Sequence, residues 1–139
     1  TISSRVRSEI LISTKGGHQW DFTKGKWFWN PNPEHITKAV TSSLQRLGTD
    51  YIDLYHIHGG TIEDPIEDII LTLDRLVESG KIRYYGISSI RPNVVRQYVK
   101  KSSIVSVMLQ YSIIDRRLEE EMLNLLHGNY LQVPILAPM

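Results

Sequence analysis

Cysteine is absent from the 139 residues, which removes disulfides, thiolate metal ligands and a cysteine nucleophile from consideration. Its absence agrees with a reducing cytoplasm, the expected location. Charge of one sign is not in excess. Sixteen Lys and Arg stand against fifteen Asp and Glu, a net of +1, so no basic surplus points to nucleic acid as a partner. No apolar run approaches the ~18 residues of a membrane span, and the first residues do not read as a signal peptide. What is present suffices for a core: 41% of residues are hydrophobic and 22% charged. Disorder is excluded and a single domain covering 1–139 is expected.

The apolar pattern alternates between two periods. Ile10 to Lys15 reads as a short strand ending in Lys-Gly-Gly. His18 to Asn32 carries Trp20, Trp27, Phe28 and Trp29 and runs into Asn-Pro-Asn-Pro, so it reads as a long functional loop. Its tryptophans Trp20, Trp27 and Trp29 are candidates for a pocket wall. Asn32 as N-cap, Pro33 at the first helical position and Gly48 after the last turn bracket a helix with an apolar stripe of Ile36, Val40, Leu44 and Leu47. Tyr51 to Ile57 is a strand ending at His58. Asp64-Pro65-Ile66-Glu67 resembles a capping box opening a helix that Gly80 ends. Ile82 to Ile87 is a strand, a helix follows from Pro92, and Ile104 to Gln110 is a strand. Asp115 to His127 is a helix, and Val133 to Leu136 a short last strand interrupted by Pro134. Strands alternating with crossover helices imply an α/β fold with parallel strands and helices outside.

In such folds ligands meet the carboxyl ends of the strands. Lys15, His58, Ser88 and Gln110 all stand at or just past strand ends. By the period of two, Lys15 shares a face with Leu11 and Ser13, with Ile10 and Ile12 opposite under a helix. Ser88 shares one with Gly86 and Tyr84, and Gln110 one with Met108 and Ser106. His56 and His58 also share a face and could chelate zinc. However, no further ligand stands at another strand end, so no metal is expected.

Three stretches then fix a resemblance. Ile-Ser-Thr-Lys at 12–15, Leu-Gln-Arg-Leu-Gly-Thr-Asp-Tyr-Ile-Asp-Leu-Tyr-His-Ile-His at 44–58 and Gly-Lys-Ile-Arg-Tyr-Tyr-Gly-Ile-Ser-Ser at 80–89 resemble the aldo-keto reductases. His-Gly-Gly-Thr-Ile at 58–62 and Ile-Arg-Pro-Asn-Val at 90–94 are in the style of the bacterial members. The resemblance implies a TIM (β/α)8 barrel that uses NADPH to reduce an aldehyde or ketone. Its catalytic set is Asp, Tyr, Lys and His. Lys15 matches the lysine and His58 the histidine. Ser88 and Gln110 match residues that bond the nicotinamide carboxamide, and Ser89 stands where many members carry Asn.

A barrel of this kind takes about 250 residues. This chain is therefore expected to be a partial barrel of about five β/α units, the third to the seventh strands. The family's Asp and Tyr are then expected upstream of residue 1 and its 2′-phosphate clamp beyond Met139. No tyrosine here has the proton donor's pattern. Nor does an aromatic follow the last strand where one would stack on the nicotinamide. Such a chain alone is expected to be inactive. The expected partner is a small carbonyl compound; oligomeric state is left open. The alternative from another class is a non-catalytic regulatory or scaffold protein on the same fold.

Overall fold

Five short strands run in parallel, and each inner one is joined to the next by a helix. In the computed structural model, which describes residues 4–128 and 135–136, the elements are α1 (Ser4–Arg7), β1 (Ser13–Gly16), β2 (His18–Asp21), β3 (Lys26–Trp29), α2 (Pro33–Leu47), β4 (Ile52–His58), α3 (Ile66–Glu78), β5 (Ile82–Ser88), α4 (Pro92–Lys101), β6 (Ser106–Gln110), a 3₁₀ turn (Arg117–Glu119), α5 (Met122–His127) and β7 (Ile135–Leu136). The parallel sheet has the order β1-β4-β5-β6-β7, and β2 and β3 form a separate antiparallel pair.

Helix α2 forms where its punctuation predicts. The Asn32 side chain accepts from the Glu34 N–H at 2.8 Å and the His35 N–H at 3.4 Å, and the Gly48 N–H bonds the Gln45 carbonyl at 3.3 Å. Ile36 and Val40 are fully buried under it. The sheet's outer face carries Tyr55, Ile57, Tyr85, Ile87, Val107 and Leu109, packed with Ile69, Leu73, Val94 and Val95 from α3 and α4. Each such aliphatic side chain stabilises by roughly 1.5–3 kcal/mol when withdrawn from water.

The inner face is polar and sets the register. Lys15 lies beside His56, His56 beside Gly86, and Gly86 beside Ser106. His56 Nε2 and Ser106 Oγ are 2.7 Å apart, and His56 Nδ1 lies 3.4 Å from Ser13 Oγ. Gly86 makes room for this bridge: a Cβ there would collide with the Ser106 carbonyl, lie 2.5 Å from Ser106 Oγ and 3.0 Å from the His56 ring.

The opposite end of the sheet is closed by an ion cluster in which Arg7 and Asp53 are buried and Arg83 is exposed. Arg7 donates to Asp53 Oδ2 at 2.7 Å, to the Tyr51 carbonyl at 2.8 Å and to Thr49 Oγ1 at 2.8 Å. Arg83 reaches Asp53 Oδ1 at 3.0 Å. Burial pushes the Asp53 carboxyl up, but the Ile12 N–H and the Arg7 and Arg83 guanidiniums outweigh it and hold the carboxyl below its ordinary range.

Four sequence expectations are corrected. The loop from His18 to Asn32 is largely a β-hairpin, because Trp20 on one arm and Trp27, Phe28 and Trp29 on the other favour extended backbone and Asp21 Oδ1 accepts the Thr23 and Lys24 N–H groups in the turn. The strand expected from Ile10 begins at Ser13, and of Ile10 and Ile12, expected under a helix, Ile10 is exposed and Ile12 half-buried. There the Ile10 carbonyl is taken by Arg7 and the Ile12 N–H by the Asp53 carboxylate, while the Ile12 carbonyl still accepts the Leu54 N–H at 3.1 Å. Asp64 does not cap α3, whose N-cap is Pro65; its carboxylate is turned back to Thr61 and Trp29. The helix expected over Asp115–His127 is split, because Asp115 is held in a turn by Ser112 and paired to Arg117. Val133 and Pro134 of the expected last strand lie outside the described residues.

Candidate functional site

The strand ends supply the cleft, since a side chain leaving the last inward position of a parallel strand projects beyond the sheet rather than across it. A cleft of about 510 Å³ is lined by Lys15, His18, His58, Gly59, Ser88, Ser89, Ile90, Met108, Leu109 and Gln110. The four strand-end residues read from the sequence (Lys15, His58, Ser88 and Gln110) and Ser89, named by the resemblance, therefore share one surface.

Lys15 is exposed, and its Nζ extends across the sheet to within 3.8 Å of Met108 Sδ. Among the described residues it has no carboxylate partner within ion-pair distance. His58 is half-buried. Burial first, then the Lys15 charge and His18, lowers its pKa. Beneath it His56 is fully buried, and burial, helped by the Lys15 charge, pulls its pKa down to about 4. Both imidazoles are thus held neutral near pH 7 beside the Lys15 ammonium. The Gly59 N–H bonds the Ser88 carbonyl at 2.8 Å, tying the ends of β4 and β5 together. The buried Ser89 Oγ accepts the Arg91 N–H at 3.3 Å, fixing the turn into α4.

The three tryptophans are placed differently from one another. Trp20 and Trp27 pair edge-to-face across the hairpin, 5.3 Å between centroids, and do not line the cleft. Trp29 stands behind it. Its indole N–H donates to Asp64 Oδ2 at 2.7 Å, and its ring lies 5.9 Å from that of His18. Gly17, at φ 117°, faces the same indole, which a side chain there would strike. His18 was not singled out from the sequence. The signal for it is the strand-favouring aromatics of residues 18–21 and 26–29, whose pairing makes a hairpin and sets the His18 ring against that of His58.

His56 and His58 do not form a metal pair: the His56 nitrogens face Ser13 and Ser106. No grouping of three or more His, Asp or Glu suited to a metal occurs among the described residues.

A family model, the aldo/keto reductase family, matches residues 2–137. The chain belongs to the aldo/keto reductase family. Among its relatives, the uncharacterized oxidoreductase YqkF of Bacillus subtilis is 52% identical over 133 residues, 96% of this chain and 43% of that protein. An NADH-specific methylglyoxal reductase of Escherichia coli is 33% identical, over 96% of this chain and 44% of that protein. The solved aldo-keto reductase AKR11C1 of Bacillus halodurans, in its holo form, superposes with a TM-score of 0.87 at 50% identity, over 93% of this chain and 43% of that one. The chain thus spans less than half the length of these relatives. Its parallel sheet and outer helices are part of an aldo-keto reductase (β/α)8 barrel.

Proposed function

We propose that the protein containing this chain is a carbonyl reductase that transfers hydride from NADPH to an aldehyde or ketone. The five parallel strands are, in this reading, the third to the seventh of its barrel. The observation that carries the proposal is the convergence of Lys15, His58, Ser88, Ser89 and Gln110 on one cleft at the strand ends. The residues suit a nicotinamide: the carboxamide needs both donors and acceptors, and the Ser88 hydroxyl and Gln110 amide offer both. A nicotinamide held there would supply hydride, a proton with two electrons, to the carbonyl carbon.

The chain's own residues handle the oxygen. As the carbon takes the hydride, the carbonyl π pair moves to oxygen, and the resulting alkoxide takes one proton to become the alcohol. Neutral His58 donates a hydrogen bond to that oxygen and orients it. By the family resemblance the proton donor is a tyrosine supplied by the rest of the barrel; among the described residues no tyrosine lines the cleft. The Lys15 ammonium favours the phenolate form of that tyrosine and so eases proton release. The hairpin walls one side through His18, with Trp29 behind it.

The direct test is loss of NADPH absorbance with a series of aldehydes and ketones, using the full-length protein and NADH in parallel. Carbonyl-dependent oxidation of NADPH is expected. Its absence with every carbonyl and both cofactors would leave the scaffold reading in its place.

A further inference from the structure

An imidazole that hydrogen-bonds a reacting oxygen works only at a fixed angle, yet among the described residues no hydrogen bond holds the His58 ring. His56 below it has a serine at each nitrogen, whereas His58 has no such partner. What the His58 ring does meet is His18, edge-to-face, with centroids 4.8 Å apart and planes at 65°. His18 has no part in the reaction as read above, but its own position is fixed by its surroundings. It opens the hairpin paired with Trp29. A Cβ on Gly59 would stand 3.7 Å from His18 Cε1 and 3.8 Å from Trp29 Cε3, so both rings pack over the residue that follows His58. The Trp29 indole is tied to the Asp64 carboxylate, which also accepts the Thr61 N–H at 2.7 Å. Thr61 and Asp64 belong to the loop that leaves β4 at His58. The hairpin is thus anchored to that same loop, and the two imidazoles are carried on one support.

We propose that His18 is a positioning residue for His58: its ring sets the plane in which the His58 imidazole presents its N–H to the carbonyl oxygen. This rests on the carbonyl reductase reading. A histidine ring turns through a broad range about its second side-chain torsion unless something restrains it. A hydrogen bond weakens steeply once its angle falls below ~120°, so a ring free to turn spends much of its time unable to stabilise the oxygen. Burial and the Lys15 charge act on the protonation state of His58 and give its ring no direction. An edge-to-face contact does give one, because aromatic rings favour that arrangement over face-to-face stacking. The property used is the flat ring and not its nitrogens, so another aromatic residue at 18 can serve and a small one cannot. In this role His18 touches neither the oxygen nor the transferred hydrogen; its effect passes through His58.

The test is a double-mutant cycle in the full-length enzyme. His18→Ala, His18→Phe, His58→Ala and the His18→Ala/His58→Ala pair are compared by kcat/KM for propanal and by NADPH affinity. His18→Ala should lower kcat/KM about tenfold, the worth of one hydrogen bond, with NADPH affinity little changed. His18→Phe, which keeps a ring against His58 and removes both nitrogens, should recover most of that loss. In the His58→Ala background His18→Ala should cost almost nothing more, because the residue it positions is gone. An equal loss in both backgrounds overturns the inference, as does a phenylalanine no better than alanine. A second readout needs no turnover. The His58 ring-proton NMR signals should shift and broaden in His18→Ala and return toward their wild-type positions in His18→Phe. Signals indifferent to His18→Ala also overturn the inference. If the wild-type enzyme oxidises neither NADPH nor NADH with any carbonyl, the reductase reading falls instead, and the NMR signals then decide by themselves whether His18 holds the His58 ring.

Discussion

Lys15 and Gln110 line the same cleft but have different tasks, and substitution separates them. In the full-length protein Lys15→Met should lower kcat by roughly 10²–10⁴, the range for general acid catalysis, with a much smaller change in NADPH affinity. Steady-state kinetics and a cofactor fluorescence titration check the split. Gln110→Ala should instead weaken NADPH binding by about 1 kcal/mol, one neutral hydrogen bond, read by the same titration. His56 gives a stability prediction with a definite sign. Its pKa falls from 6.5 in the unfolded chain to about 4 in the fold. Between these values the unfolded state binds more protons, so stability is full above pH 6.5 and declines as pH falls toward 4. The loss reaches about 3 kcal/mol. Denaturant titrations across that window should show the decline, and His56→Leu should flatten it. Lys15, His58, Ser88 and Gln110 were legible as residues because strand period and strand ends are local properties of the sequence. The pKa of His56 was not, since its burial comes from other strands.

At the scale of elements, register is the quantity that matters. Gly86 lies under the His56–Ser106 bridge, and a methyl group there meets the Ser106 backbone as well as its hydroxyl. Backbone cannot swing aside as a flexible side chain would. Gly86→Ala should therefore destabilise the full-length protein by about 1–3 kcal/mol, the usual cost of overpacking, measured as a lower midpoint of urea unfolding with an unchanged m-value. Helix α2 was readable from end to end, because its caps, its proline and its stripe act within a few residues. The hairpin was not. Its arms hold four residues each and show no period of two, so nothing in them outweighs the glycine, asparagine and proline around them. Asp64 misled for a related reason. Its position fits a capping residue, but Trp29, 35 positions away in sequence, and the Thr61 N–H compete for the carboxylate and hold it.

For the whole molecule, the open sheet has a consequence. Strand β1 is an edge with no second neighbour in the described sheet, and Leu11, Ile113 and Ile114 are 87%, 94% and 96% exposed. Unpaired strand edges and exposed aliphatics promote association between chains. The 139 residues expressed alone should self-associate, whereas the full-length protein should be monodisperse; light scattering coupled to size exclusion distinguishes them. A monomeric short chain that unfolds cooperatively would contradict this.

The sequence by itself determined the alternation of strands and helices, the helix caps and the polar residues at four successive strand ends. These follow from periodicity and capping, which act over one or two turns of chain. The motifs around Lys15, His58 and Ser88 carried the family as well. Only the tertiary structure decided that His18 meets His58, that Trp29 rather than Trp20 or Trp27 stands behind the cleft, and that His56 bonds Ser106 across 50 positions. These contacts depend on which strand lies beside which and in what register. That is settled by burial of the shared outer face and by close approach at positions such as Gly86, neither of which has a local signature.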